Sequence, residues 1–374
     1  MTSRRSWTGL WRVVIVVLAL GTVSGTAQAA APQAAAPACA PSITVLPTFS
    51  GPDAGLSAVQ GLSRTANIAV GSSNGSPAYW TGRTARRVPL PAGYNGGAVF
   101  AVNSLGLMVG RVSGPSKLSR AFRYWYGASS IVFLPGGYKA VAVNDAGHVV
   151  GIGMKNDARV GYEWAPGTTV RRTLKLAPNT GLGDVTGINN SGRIIGHGHI
   201  LTSDNSAGLT WSSSVTAAAT TLNNPAYPVA IGTEFSPVAI DNRNRIAGVY
   251  SYGHPSVYSP FFWPSPAGTG AVVGGRNREN AGFVALSDNK VAVGTAWDDS
   301  PWDDSPGHSR PDVALIWNGR SMAGPLLELP PLLAGHGAWA VAINNDGRAG
   351  GMADDAAGIH PVVWVCALQQ ARTP

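Results

Sequence analysis

Short runs of alternating apolar and polar residues, each closed by a tight turn, recur along almost the whole chain. In the third recurrence residues 140–144 alternate as a strand, Asp145-Ala146-Gly147 makes a turn, and residues 148–152 alternate again. After a loop come residues 160–164 and, past another turn, residues 170–174. This order predicts one antiparallel sheet of four strands. Each recurrence carries a glycine (Gly71, Gly110, Gly151, Gly196, Gly248, Gly294, Gly351) followed by a tryptophan (Trp80, Trp125, Trp164, Trp211, Trp263, Trp317, Trp364). The glycine-to-glycine steps run from 39 to 57 residues, a period that signals a solenoid, a propeller or another array.

The first turn of each repeat is rich in asparagine. Asn103-Ser104-Leu105-Gly106, Asn189-Asn190-Ser191-Gly192 and Asn344-Asn345-Asp346-Gly347 share one form, whereas Asn67 and Asn244 stand where glycine is expected. Asparagine is the next-best residue for a left-handed backbone. Ser287-Asp288-Asn289-Lys290 departs most from the pattern. Turn chemistry accounts for these residues, and the alternating acidic series of a calcium loop is missing. The tryptophans, each ending an alternating strand, are expected to pack between neighbouring sheets rather than to serve as sugar-stacking platforms.

Ala340-Val341-Ala342-Ile343-Asn344-Asn345-Asp346-Gly347 and Gly187-Ile188-Asn189-Asn190-Ser191-Gly192, each followed by a strand ending in tryptophan, carry a wider resemblance. The pattern resembles the extracellular HAF-repeat proteins of bacteria over nearly all of residues 43–366. The resemblance implies a secreted β-repeat protein and brings no catalytic residues with it.

An open solenoid needs atypical polar repeats at its ends, and none stands out. The expected fold is therefore all-β, a seven-bladed β-propeller over residues 42–368 with a short tail at 369–374. The last repeat stops at Trp364-Val365-Cys366 without a fourth strand, and the chain offers an orphan strand at residues 42–47. That strand resembles residues 130–135, the fourth strand of the second repeat, so it is expected to complete the last blade. The two cysteines, Cys39 and Cys366, flank this seam and are expected to form a disulfide in an exported protein.

Export is read from the first 29 residues. Arg4, Arg5 and Arg12 precede a short apolar run at residues 13–23, and Ala27-Gln28-Ala29 is a small-x-small cleavage site. The apolar run is too short to span a bilayer. Ser3-Arg4-Arg5-Ser6-Trp7 also resembles a twin-arginine signal, so export by either the general or the twin-arginine route is expected. Residues 30–41 form an Ala/Pro-rich linker. The leader holds three of the 27 basic residues, leaving an excess of five over the 19 acidic ones in the mature chain. These charges are scattered, which argues for solubility and against nucleic acid as a partner. The mature chain is expected to be a monomer without a membrane span.

The tight asparagine turns are uniform and read as scaffold, whereas the loops between second and third strands vary. The longest holds a tandem pentapeptide, Trp297-Asp298-Asp299-Ser300-Pro301 and Trp302-Asp303-Asp304-Ser305-Pro306. Trp297 and Trp302 suit sugar rings. Asp298, Asp299, Asp303 and Asp304 suit hydroxyl groups or Ca²⁺, although no cofactor is otherwise expected. The competing reading is a solvated acidic loop born of a short duplication. Enzyme signals are thin: His197 and His199 are two ligands where a catalytic zinc site needs three, His308 is a lone histidine in the acidic loop, and no nucleophile-elbow or zinc-protease motif is present. The expectation is a secreted, non-enzymatic binding protein for a polysaccharide, a cell-wall component or a protein. A propeller glycosidase or lyase drawing its acids from several blades, or a purely structural module, is the alternative.

Overall fold

The computed structural model describes residues 42–50, 56–114, 117–156, 158–212, 217–224, 232–253, 257–274, 280–297 and 311–367. The chain divides into Met1–Ala38 and Cys39–Pro374, and every described residue belongs to the second part. The expected leader, the linker up to residue 41, Cys39 and the tail at 369–374 lie outside the described residues. Among the described residues no helix is long and apolar enough to cross a membrane.

Every element is a β-strand. The third repeat pairs Gly137–Val143, Val149–Lys155, Ala158–Trp164 and Arg171–Thr173 in chain order, all antiparallel. The other repeats follow this scheme, and the fourth and fifth are joined into one eight-stranded sheet by the parallel pair Ser206↔Glu234. The expected closure is present. Ser42–Val45 pairs with Gly358–Val365 in the register Ser42↔Val365 to Val45↔Val362 and supplies the fourth strand of the last sheet. Leu46 then donates its N–H to Pro361 O at 2.8 Å, as Leu134 of the second repeat donates to Ala121 O at 2.9 Å. Gln60, Phe100, Ala142, Thr186, Val238, Val284 and Val341, one from the first strand of each repeat, line a common channel of about 190 Å³. Sequential antiparallel sheets with their first strands around one channel make a β-propeller.

The recurring glycines mark a close approach of backbones. In each repeat the first strand bulges beside its partner, in the third between Ala140 and Ala142, and the glycine lies next to the bulge. A Cβ on Gly151 would come within 2.2 Å of Lys139 O, and one on Gly294 within 1.8 Å of Gly282 O. Only a residue without a side chain lets a bulged strand come this near.

Six of the seven tryptophans are at most 1% exposed, so they are core residues and cannot stack on a sugar. Four of them donate the indole N–H to the second residue past the fourth strand of the preceding repeat: Trp164 to Pro135 O, Trp211 to Lys175 O, Trp364 to Pro330 O and Trp80 to Pro47 O. Pro47 follows the closing strand, so the seam repeats the contact made elsewhere. Trp125 is the exception, and the expectation for it is corrected. Tyr124 pairs with Met108, two residues before Gly110, as Trp164 pairs with Val149, two before Gly151. Tyr124 is 3% exposed and takes the core place; Trp125, one residue on, is 49% exposed. A shift of one residue turns a side chain to the other face of a strand.

The asparagine turns do more than reverse the chain. Asn103 Oδ1 accepts the N–H groups of Leu105 and Leu107 within its own turn, while Asn103 Nδ2 donates to Asn144 O of the next repeat at 3.0 Å. Asn144 donates likewise to Asn189 O at 3.1 Å and Asn189 to Asp241 O at 2.9 Å. Asp241 has no amide to give. Arg245 substitutes by binding the Asp241 carboxylate at 2.5 Å and donating to Asp288 O at 2.7 Å. The following residues form a second belt: Ser104 N–H donates to Asp145 Oδ1, Asp145 N–H to Asn190 Oδ1, Asn190 N–H to Asn242 Oδ1, Asn242 N–H to Asp288 Oδ1 and Asp288 N–H to Asn345 Oδ1. Asn345 N–H donates to Arg64 O at 3.3 Å, and Ser63 Oγ to Asn103 O, which closes the circuit. Two expectations change here. Asn67 is not left-handed, because the first turn is longer and closes from Ser63 N–H to Ile68 O. The divergent sixth turn keeps the common geometry, with Lys290 itself at φ 67°.

Gly151→Ala is expected to destabilise the fold by about 1–3 kcal/mol, the usual range for overpacking, read from urea unfolding. Asp288 makes a second test. Burial pushes its carboxyl up, but N–H donors from Asn242 and Asn345 and the charge of Arg64 outweigh this and hold it below the ordinary 3.8. A carboxyl depressed in the folded state stabilises above its unfolded pKa and loses that contribution as pH falls through the folded one. Asp288→Asn should therefore be less stable than wild type at pH 7, and the gap should close as pH falls below about 3.8.

Candidate functional site

The first strands run from the variable-loop side towards the asparagine turns, so the residues that begin them lie at the loop end. Lys139 and Glu234 stand near or at the starts of Gly137–Val143 and Glu234–Ile240, and Asp184 lies midway along Thr180–Ile188. Asp184 is paired directly with His197 across the ladder. The parallel pair Ser206↔Glu234 brings the next repeat alongside, leaving Glu234 Oε1 at 4.0 Å from His197 Nε2. Glu234 also accepts a hydrogen bond from Ser236 Oγ at 2.6 Å, and Asp184 binds Arg159 Nη1 at 2.7 Å. Lys139 lies over the Phe100 ring with its Nζ 4.4 Å from the centroid.

Burial sets the protonation of this cluster. It lowers the His197 pKa below 6.5, with Glu234 and Asp184 opposing, so the imidazole is neutral at pH 7. Burial also lowers Lys139 below its ordinary 10.5, again against the pull of Asp184. Two nearby polar atoms, His197 Nδ1 and Arg111 Nε, are buried without a hydrogen-bond partner, and Arg111 spends Nη1 on Tyr138 Oη at 3.1 Å. A bound polar group would satisfy such atoms, which are costly to leave unmade.

Aromatic rings flank the cluster on the fifth and sixth repeats. Trp297 is half-buried with its ring 5.5 Å from that of Tyr258, and its backbone N–H donates to Asn280 O. Tyr252 stacks on Tyr250, and Tyr250 on Phe235. Of the tandem loop, Trp297 alone is described; Asp298, Asp299, Trp302, Asp303 and Asp304 lie outside the described residues, as does His308. His199, on the same side of its strand as His197, meets Ser206 Oγ at 3.1 Å. Among the described residues no three histidine, cysteine or acidic side chains are placed to hold a metal ion.

Sequence reasoning picked out His197 and missed Lys139, Asp184, Glu234, Arg111 and Arg159. A signal for several of them was present. Arg111 and His197 each follow a repeat glycine, and Lys139 and Asp184 each precede the first-strand residue opposite that glycine. One register rule thus places all four at equivalent rungs of the ladder. Glu234 and Arg159 have no such mark.

No family model matches the chain, and no curated protein does. Among solved structures, a prolyl endopeptidase is similar at TM-score 0.53 and 10% identity, over 82% of this chain and 46% of that one. The β-propeller domain of the trilobed protease from Pyrococcus furiosus is similar at TM-score 0.46 and 9% identity, over 69% of this chain and 77% of that one. TolB from Acinetobacter baumannii gives TM-score 0.44 and 10% identity, over 72% of this chain and 64% of that one. At such identities the likeness is one of fold alone.

The depressed His197 pKa has a measurable consequence. The unfolded chain takes up a proton below about pH 6.5 that folded His197 refuses, so folding weakens as pH falls through that range. Wild type should lose stability relative to His197→Gln between pH 7.5 and 5.5, measured by urea unfolding at both values.

Proposed function

We propose that this protein is an exported, seven-bladed β-propeller that binds an extracellular ligand through its loop face, without catalysing a reaction. The observation that carries this reading is the contrast between the two faces. On the turn face the asparagine and aspartate oxygens are taken up by neighbouring N–H groups. The loop face holds half-buried aromatic rings and buried polar atoms left without partners. Stacked aromatics beside polar groups suit a polysaccharide or cell-wall glycan, and the same surface would serve a protein partner.

The remaining parts of the proposal rest on the sequence and its resemblance to extracellular HAF-repeat proteins. The leader at residues 1–29 would deliver the chain out of the cytoplasm. A Cys39–Cys366 disulfide would lock the seam: Ser42, three residues past Cys39, pairs with Val365, the neighbour of Cys366. The mature protein would act as a monomer and need no cofactor, with Ca²⁺ at the acidic loop as the one candidate ion. The rival reading, a carbohydrate-active enzyme, draws on neutral His197 beside Glu234.

The test is retention of the mature protein on insoluble polysaccharides and cell walls, with the supernatants assayed for released sugar. Retention without release is expected, weakened about tenfold or more in the Trp297→Ala/Trp302→Ala double variant, since each stacked ring contributes on the order of 1 kcal/mol. Sugar release abolished in His197→Gln would replace binding by catalysis. No retention on any glycan would leave proteins as the ligand class.

A further inference from the structure

A cavity of about 200 Å³ lies where the closing strand meets the first repeat. Its floor is apolar and buried, formed by Leu46, Ala69, Trp80 and Val363. Its rim is polar, with Asn67 and Arg83 exposed and Arg348 half-buried. Ala69 faces the cavity opposite Trp80, where the third, fourth and fifth repeats place the larger Val149, Ile194 and Ile246 and the sixth and seventh place Ala292 and Ala349. Gly82 on the rim adds to the opening, since a Cβ there would meet nothing within 4 Å.

The two arginines of the rim differ. Arg348 is held by Asn67 Oδ1. Arg83 makes no hydrogen bond or ion pair among the described residues, so its planar fork of donors is available for an anion. An apolar cavity of roughly 150 Å³ admits a benzene-sized molecule, so this one has room for a single ring or a short branched chain.

We propose that this seam cavity binds a small organic carboxylate with one apolar ring or branched chain. The apolar part lies on Ala69 and Trp80, and the carboxylate pairs with Arg83. Such a ligand touches both the closing strand and the first repeat, and by binding only the folded chain it strengthens the closure by mass action. The site is separate from the loop face and independent of the ligand proposed there.

The test uses the mature chain and four probes: benzoate, benzyl alcohol, acetate and inorganic phosphate. Benzoate should raise the Tm saturably and shift the indole N–H resonance of Trp80, assigned with Trp80→Phe. Benzyl alcohol should bind about tenfold more weakly for want of a charge-assisted bond, and acetate and phosphate should leave that resonance in place. Arg83→Gln, a surface change that leaves the core intact, should reduce benzoate to the level of benzyl alcohol. Ala69→Leu should abolish binding of both. Benzoate without effect, an effect unchanged by both variants, or benzyl alcohol binding as tightly as benzoate would overturn the proposal.

Discussion

The architecture depends on a bifunctional side chain. An asparagine amide has an acceptor at one end and a donor at the other, and the first turn residue of the second, third and fourth repeats uses both. Asn103 Oδ1 folds its own turn, and Asn103 Nδ2 reaches the backbone of the next repeat. The same group that makes a turn thereby joins it to its neighbour. Where the residue changes, the donor has to come from elsewhere. Asp241 recruits Arg245, and Ser63 uses its hydroxyl. Arg64 of the first repeat reaches Asp288 of the sixth at 2.7 Å, passing over the seventh. The amide bonds of Asn103, Asn144 and Asn189 to the next repeat are buried, where an unmade partner is costly.

Two further constraints follow the belts outward. The bulge in each first strand demands the repeat glycine, because the backbone of Lys139 or Gly282 stands where a side chain would begin. Further out, the buried indole ties four of the sheets to the end of the one before, as Trp164 does to Pro135. These demands consume the turn face and the blade interiors. The loop ends of the strands carry no such duty, which is why charged residues such as Lys139 and Glu234 occur there.

Much of this fold was legible in the chain. The four-strand repeat, its glycine and the closing strand at residues 42–47 all follow from alternation, turn chemistry and one internal resemblance, because strands of period two record which face is buried. The reading erred where spacing alone had to decide. Trp125 takes the eye as the repeat tryptophan, yet Tyr124 sits in register with Met108. Counting from the paired glycine, rather than matching residue types, would have found this. The longer first turn misplaced Asn67 in the same way.

By itself the sequence determined the all-β class, the repeat and the turn residues, since each depends on neighbours a few positions apart. Which asparagine reaches which carbonyl was decided only by tertiary structure, as was the meeting of Glu234 with His197 across two repeats and the cavity at the seam. Those contacts join residues about 40 positions or more apart, or set a closing strand against the first repeat. Their distances depend on how sheets stack around the channel, a quantity that no local pattern of polar and apolar residues encodes.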